Sequence, residues 1–268
     1  MIAHEQTREL YHARTGRHDD KDDSYHLNQL TAPGDRPPMT TRSVLVTGCS
    51  TGFGLEIALD LAEHGFQVYA TMRDLTRTTR LEQEAVRRRV AVRILRLDVT
   101  EPESIEMAVR TIVAETGGIY AVVNNAGQFL RGYFEDLSNG EVRQVFATNV
   151  FGTMAVTRAV LPHMRAAKRG RILIMSSVAG KIGAPTGSAY SASRFAQEGF
   201  AESLSQELEP LGIHVVLNMV EPGITRSAGW TPGRGAAEKA HDRHSPYFLC
   251  LAAHYPRIIL RALVGVGA

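Results

Sequence analysis

Cysteine is scarce in this chain of 268 residues: it has two, Cys49 and Cys250. That excludes a scaffold built on disulfides. Cys49 stands inside a glycine-rich turn, where a bridge would clamp the loop, so both are read as free thiols in a reducing, cytoplasmic setting. No Cys/His cluster has metal-ligand spacing, so no metal is expected and the ten histidines read as solvated or locally satisfied. An excess of one charge is missing as well. A net charge of +2 offers no concentrated basic face, so no nucleic-acid partner is expected. The short run Arg87-Arg88-Arg89 reads as a solvated helix end. No apolar run reaches the roughly 18 residues of a membrane span. The most apolar late stretch, Tyr247 to Ala268, is broken by His254, Pro256, Arg257 and Arg261.

What is present is the composition of a globular protein, 44% hydrophobic and 22% charged. Residues 1–38 depart from it. They hold Asp19-Asp20-Lys21-Asp22-Asp23 and Pro33, Pro37 and Pro38, with no apolar periodicity, and read as a disordered leader before Met39. From there the chain alternates strands and helices. Strands are expected at Ser43 to Thr47, Phe66 to Ala70, Ala91 to Leu97, Ile119 to Val123, Arg171 to Met175 and His214 to Val220. Helices are expected at Gly54 to Glu63, Arg80 to Arg89 and Pro102 to Glu115, with Pro102 in a first turn. This pattern predicts a single α/β domain over 39–268, a doubly wound, Rossmann-like parallel sheet of six to seven strands. The end is atypical from about residue 228. Ala228 to Ser245 reads as a loop, and a last edge strand is placed in Ala262 to Val266.

The first strand runs into Thr47-Gly48-Cys49-Ser50-Thr51-Gly52-Phe53-Gly54 and then a helix. Glycines are needed where a backbone turns tightly against a pyrophosphate, and the helix start offers unpaired N–H groups to phosphate. Gly48, Ser50, Thr51, Gly52, Phe53 and Gly54 are therefore candidate cofactor contacts. The second strand ends Ala70-Thr71-Met72-Arg73-Asp74. Met72 cannot accept ribose hydrogen bonds, whereas Arg73 can pair with a 2′-phosphate, which favours NADP over NAD. The competing reading turns Asp74 inward to the ribose. Asp98-Val99 and Asn124-Asn125-Ala126-Gly127 close the third and fourth strands on the same rim. Asp98 is a candidate acceptor for the adenine amine, and Val99, Asn125, Ala126 and Gly127 are candidates for the floor beneath adenine and ribose.

These motifs, with Asn149, Ser177, Tyr190 and Glu221-Pro222-Gly223, come in an order that resembles the classical short-chain dehydrogenase/reductases. Val68-Tyr69-Ala70-Thr71-Met72-Arg73-Asp74-Leu75 looks nearest the hydroxysteroid and retinol dehydrogenase-like branch. The resemblance covers about residues 43 to 227 and implies a catalytic tetrad of Asn149, Ser177, Tyr190 and Arg194. It implies that Asn149 binds a helix carbonyl and a proton-relaying water. It also implies that Pro222, Gly223, Ile224 and Thr225 close over the nicotinamide, and it allows a homodimer or homotetramer.

Chemistry gives each tetrad member a reason. Reduction of a carbonyl needs a proton donor, and Tyr190 offers a phenol. A nearby cation favours the phenolate form that oxidation requires. Ser177 can hold the reacting oxygen, with Ser176 as the neighbouring alternative. The family has lysine where Arg194 stands, and arginine is longer, planar and differently directed. The expected function is interconversion of a ketone or aldehyde and its alcohol with NADP, on a small hydrophobic substrate. Phe129, Leu130, Phe134, Ile182 and Trp230 are the candidate rim. Two alternatives stay open: a catalytically impaired NADP-binding protein acting as sensor or dimer partner, and a reductase of carrier-bound 3-oxoacyl groups.

Overall fold

The computed structural model describes residues 42–218. The 1–38 leader, Pro222 to Thr225, the 228–245 loop with Trp230, and the expected last strand lie outside the described residues.

The first strand, β1 (Ser43–Val46), is buried at every position because it has a strand on each side and a helix layer on each face. Its side chains alternate between two cores, as strand geometry requires. Val44 and Val46 join Val68, Ala70, Leu55, Leu59 and Leu81 on one face. Leu45 joins Tyr69, Val122, Ile112, Val156 and Leu204 on the other. The helices sort accordingly. α1 (Gly52–Glu63) and α2 (Thr79–Arg88) cover the first face. α3 (Pro102–Thr116), α5 (Thr153–Ala166) and α6 (Ser188–Leu208) cover the second.

The remaining strands are β2 (Gln67–Met72), β3 (Val92–Arg96), β4 (Ala121–Asn124), β5 (Gly170–Met175) and β6 (Ile213–Asn218). All pairings are parallel, in the order β3-β2-β1-β4-β5-β6. The order reverses between β1 and β4, so a crevice opens at their carboxyl ends, where open α/β sheets bind ligands. Val46 faces Ala70 on one side and Val123 on the other. This register sets Thr47, Thr71 and Asn124 level with one another at the strand ends.

Local signals account for the helix ends. Pro102 opens α3 and Gly117 closes it at φ +77°. Gly65, at φ +79°, turns the chain after α1. α4 (Asn139–Phe146) starts with a capping box, Ser138 and Glu141 each satisfying the other's backbone N–H. α4 then runs without a break through a π-helical turn, Ala147–Gly152, into α5.

Three expectations shift. α1 begins at Gly52 instead of Gly54, two residues earlier in the glycine turn. β2 runs on to Met72 because it pairs with β3 through Met72–Arg96. Arg88 is no solvated helix end: it bonds Glu56 of α1 and sits near Glu63 and Glu84, joining the two helices of that layer.

Candidate active site

The glycine turn is fastened to the end of β4 by Thr47 and Asn125. Thr47 Oγ1 accepts from the backbone N–H groups of Asn125 and Ala126, both at 3.0 Å. Asn125 Nδ2 donates back to the carbonyls of Thr47, at 2.8 Å, and Gly48, at 3.2 Å. The glycines follow from this closeness. Gly48 has φ +73°, and a Cβ there would stand 2.9 Å from Ala126 Cα. A Cβ on Gly54 would land on the Asn125 amide and the Gly48 carbonyl. Thr51 precedes α1 without capping it by its side chain, so the first-turn N–H groups have no side-chain acceptor from that residue. Such a helix start suits a phosphate. Ser50 and Thr51 are half-buried beside it, and Phe53 is partly exposed. Gly52, at φ +65°, has open space where a Cβ would be. A dinucleotide fits this cradle: the backbone is close, the amides are available and no side chain fills the turn.

Cys49 is a packing group. Its N–H donates to Thr71 O and its thiol to Val46 O. Burial pushes the thiol up to about 12.

At the tip of β2 the side chains part. Met72 is 2% exposed and packs with the α1/α2 core, away from the rim. Arg73 follows with its side chain 72% exposed, its Nε 4.0 Å from Asp98 Oδ2. Asp98 is also held by Thr100, which donates its N–H at 2.9 Å and its hydroxyl at 2.7 Å to Oδ1. Asp74 turns to its own chain, where Oδ1 accepts from the N–H and hydroxyl of Thr76. Those bonds, first the hydroxyl's, hold its carboxyl below the usual range. The geometry thus leaves Arg73, exposed and held only by the long contact to Asp98, rather than Asp74, as the polar group turned outward at this tip. Val99 packs its side chain into the core under Gly152, whose Cβ would stand 2.7 Å from Val99 Cγ2. Any part Val99 takes in holding a cofactor falls to its backbone.

The second half of the site is one hydrogen-bonded cluster. Asn149 lies fully buried in the π-helical turn. Its side chain clamps Gln128 in both directions, Oδ1 accepting from the N–H at 2.7 Å and Nδ2 donating to the carbonyl at 2.9 Å. The resemblance implied a helix carbonyl for this side chain; it holds loop backbone instead. Nδ2 also donates to Ser193 Oγ, which donates to Tyr190 O in the first turn of α6. The Tyr190 ring is half-buried, edge-on to Phe129 with centroids 4.7 Å apart, and Arg194 Cζ lies 5.0 Å over its centroid. Arg194 is buried. Its Nη1 donates to Met175 O at 2.9 Å and to Gln197 Oε1 at 2.7 Å. Its Nη2 reaches the floor of the crevice, 2.7 Å from where a Gly127 Cβ would be.

The two adjacent serines differ. Ser176 is buried and donates to Glu198, whose other carboxylate oxygen lies 2.9 Å from Lys181 Nζ. Ser177 begins the turn Val178–Gly180, where its Oγ accepts from Ala179 N–H at 3.2 Å, which leaves the hydroxyl proton for a ligand.

Asn149, Tyr190 and Arg194 are brought together through Ser193, Gln128 and Gln197, none of which the sequence reading singled out. Ser193 lies between Tyr190 and Arg194 in the sequence. Gln197, polar and one turn past Arg194 on a face otherwise continued by Ala201, Leu204 and Leu208, was the available signal. Among the described residues there is no group of three or more metal-binding side chains, and no helix is long and apolar enough to cross a membrane.

Known proteins resemble this chain in sequence and in fold. Residues 42–236 match the family described as short chain dehydrogenase. The chain is 38% identical over 200 residues to a 3-ketodihydrosphingosine reductase of Bacteroides thetaiotaomicron, covering 75% of this chain and 70% of that one. It is 42% identical over 188 residues to retinol dehydrogenase 8 of Bos taurus, covering 68% of this chain and 58% of the relative's length. A solved metagenomic short-chain oxidoreductase in complex with NADP superposes with a TM-score of 0.64 at 30% identity, over 69% of this chain and 84% of that one. With the glycine cradle, the parallel sheet and the Asn149–Tyr190 cluster in one frame, the chain belongs to the short-chain dehydrogenase family.

Proposed function

We propose that this protein interconverts a ketone or aldehyde with its alcohol, using NADP, on a hydrophobic substrate. The observation that carries the reading is the cluster joining Asn149, Ser193, Tyr190 and Arg194 directly beside the glycine cradle, with Arg194 Nη2 against Gly127. When bound, the nicotinamide supplies the hydride in reduction and takes it in oxidation. Tyr190 gives the carbonyl oxygen its proton in reduction and recovers it in oxidation. Ser177 donates its hydroxyl to that oxygen as negative charge develops there. Arg194 contributes a fixed positive charge over the Tyr190 ring. Asn149 holds the Gln128 backbone and, through Ser193, the first turn of α6, so that the phenol is set relative to the crevice.

Arg73 supports NADP, because an exposed guanidinium next to Asp98 can meet a 2′-phosphate with paired N–H groups. The hydrophobic substrate is supported by Val178, Ile182 and Phe134, which are exposed on segments after Ser177 and β4, and by two relatives named for a sphingoid ketone and for retinol.

A second reading has its own observation. Both bonds from Arg194 Nη1 point inward, to Met175 O and Gln197, which favours a cofactor-binding protein with impaired turnover. One experiment separates the two. NADPH consumption is followed with long-chain ketones, retinoid aldehydes, steroids and carrier-bound 3-oxoacyl groups, for the wild type and Tyr190→Phe. Turnover lost in Tyr190→Phe supports the enzyme. NADPH binding with no turnover in wild type, and turnover gained by Arg194→Lys, supports the impaired form.

A further inference from the structure

Gln197 is 1% exposed on α6, three residues after Arg194 and on the same side of the helix. A buried amide must find partners at both ends. Its Oε1 accepts from Arg194 Nη1 at 2.7 Å. Its Nε2 donates to Asn149 O at 2.6 Å and to Thr153 Oγ1 at 3.0 Å. The orientation of this amide is forced. A guanidinium has only donors and a backbone carbonyl only accepts, so the reversed amide would face donor with donor and acceptor with acceptor. Thr153 Oγ1 also donates to Asn149 O, so the carbonyl of the π-helical turn is held twice.

Resting on the reading above, we propose that Gln197 is a positioning residue that acts through Arg194: it seats the guanidinium over Tyr190 and couples it to Asn149. The bridge suits arginine in particular. Nη1 reaches the amide and Met175 O together, which leaves Nη2 directed at Gly127 and the crevice. An apolar side chain at 197 would strip Arg194 Nη1 of one acceptor and Asn149 O of one donor in a buried place. The cation would keep Met175 O alone and be free to turn away from the ring. An ammonium at 194 is a single compact head on a flexible stem, with no second nitrogen held in the same plane to direct at Gly127.

The test uses the full chain with Gln197→Leu, alone and combined with Arg194→Lys. Side-chain 15N NMR reports Arg194 without need of activity, assigned by the signals lost in Arg194→Lys. In the wild type its Nη protons are expected to rotate and exchange slowly, and in Gln197→Leu to average. Gln197→Leu is expected to lower kcat about tenfold while NADPH Kd changes less than about threefold. In the Arg194→Lys background the same substitution is expected to change kcat by less than about threefold. Unchanged Arg194 signals in Gln197→Leu overturn the proposal, as does an equal loss of kcat in both backgrounds, which marks Gln197 as a packing residue. Where leucine leaves the chain unfolded, Gln197→Met, unbranched and of nearly the same volume, carries the same comparison. If no form turns over any carbonyl, the enzymatic reading falls, and the NMR comparison still decides whether Gln197 seats Arg194.

Discussion

Arg194 lies over the face of the Tyr190 ring, its Cζ 5.0 Å from the centroid, in the first two turns of one helix. The cation is thus tied to the body of the tyrosine as well as to the floor at Gly127. Arg194→Lys keeps the charge but gives up the stacked plane and the bonds to Met175 O and Gln197. NADPH-linked carbonyl reduction is expected to fall at least about a hundredfold in Tyr190→Phe, which has no transferable proton. Steady-state rates at saturating NADPH check it; a variant with wild-type kcat would remove Tyr190 from the chemistry. The response to Arg194→Lys is the informative one. A rise shows that arginine restrains turnover, and a fall shows that the site has been rebuilt around arginine.

Arg73→Ala is expected to weaken NADPH about tenfold or more, the range for a hydrogen bond to a charged group, with little change for NADH. Fluorescence titration of both nucleotides reads this. An equal effect on both would move the 2′-phosphate contact elsewhere. Met72→Asp is a poor switch toward NAD in this fold, because Met72 is buried against the α1/α2 layer and a carboxylate there would lack partners.

The adjacent serines are expected to fail differently. Ser177→Ala should lower kcat about a hundredfold with little change in melting temperature, the size of effect seen when a donor to a developing oxyanion is removed. Ser176→Ala should lower stability by about 1–3 kcal/mol, since it leaves Glu198 with one hydrogen bond fewer in a buried place. Urea unfolding together with kinetics separates them; the opposite pattern would make Ser176 the residue at the substrate.

The sheet was readable from the sequence because the strands are short, mainly apolar runs and several helix boundaries carry their own signal. Gly65, Pro102 and Gly117 stand at chain reversals. The motifs at the strand ends were readable for the same reason, being short contiguous runs such as Asn124 to Gly127. What the sequence hid were contacts between distant segments. Met72 and Arg73 are neighbours in the chain, yet strand pleat sends one into the core and the other into solvent. Gln197 looked like one more helix residue, and its partner Asn149 O is a backbone atom, which no side-chain pattern reveals. The π-helical turn could not be placed either: Thr148, Asn149, Val150 and Gly152 are weak helix formers, but composition does not tell a wide turn from an ordinary one.

Gly54→Ala is expected to cost about 1–3 kcal/mol from overpacking and to remove most NADPH affinity. The added methyl meets the Asn125 amide and the Gly48 carbonyl, so relief requires the turn to leave β4. Chemical unfolding and nucleotide titration on the same protein check it. A stable variant that binds normally would show that the turn yields without loss.

Cys49 is expected to resist thiol reagents at pH 8 until the chain unfolds, tested with Cys250→Ser so that one thiol reports. Its folded value of about 12 lies above the ordinary 9.0, so the folded state keeps the proton longer. The associated stability is complete below about pH 9 and is lost as pH rises from there toward 12. Stability above pH 9 should therefore fall more steeply than in Cys49→Ala. Rapid labelling of the native protein would show that the turn opens.

The wide turn at Ala147 to Gly152 carries a constraint of a genetic kind. Removing one residue from it would leave a helix, and each later position would rotate by about 100°. Val156, Val160 and Met164, which now face the sheet, would swing off it, while Asn149 would lose its place opposite Gln128. Insertions and deletions here are penalised by the core and the site at once, so this stretch should tolerate exchange of letters far better than any change in their number.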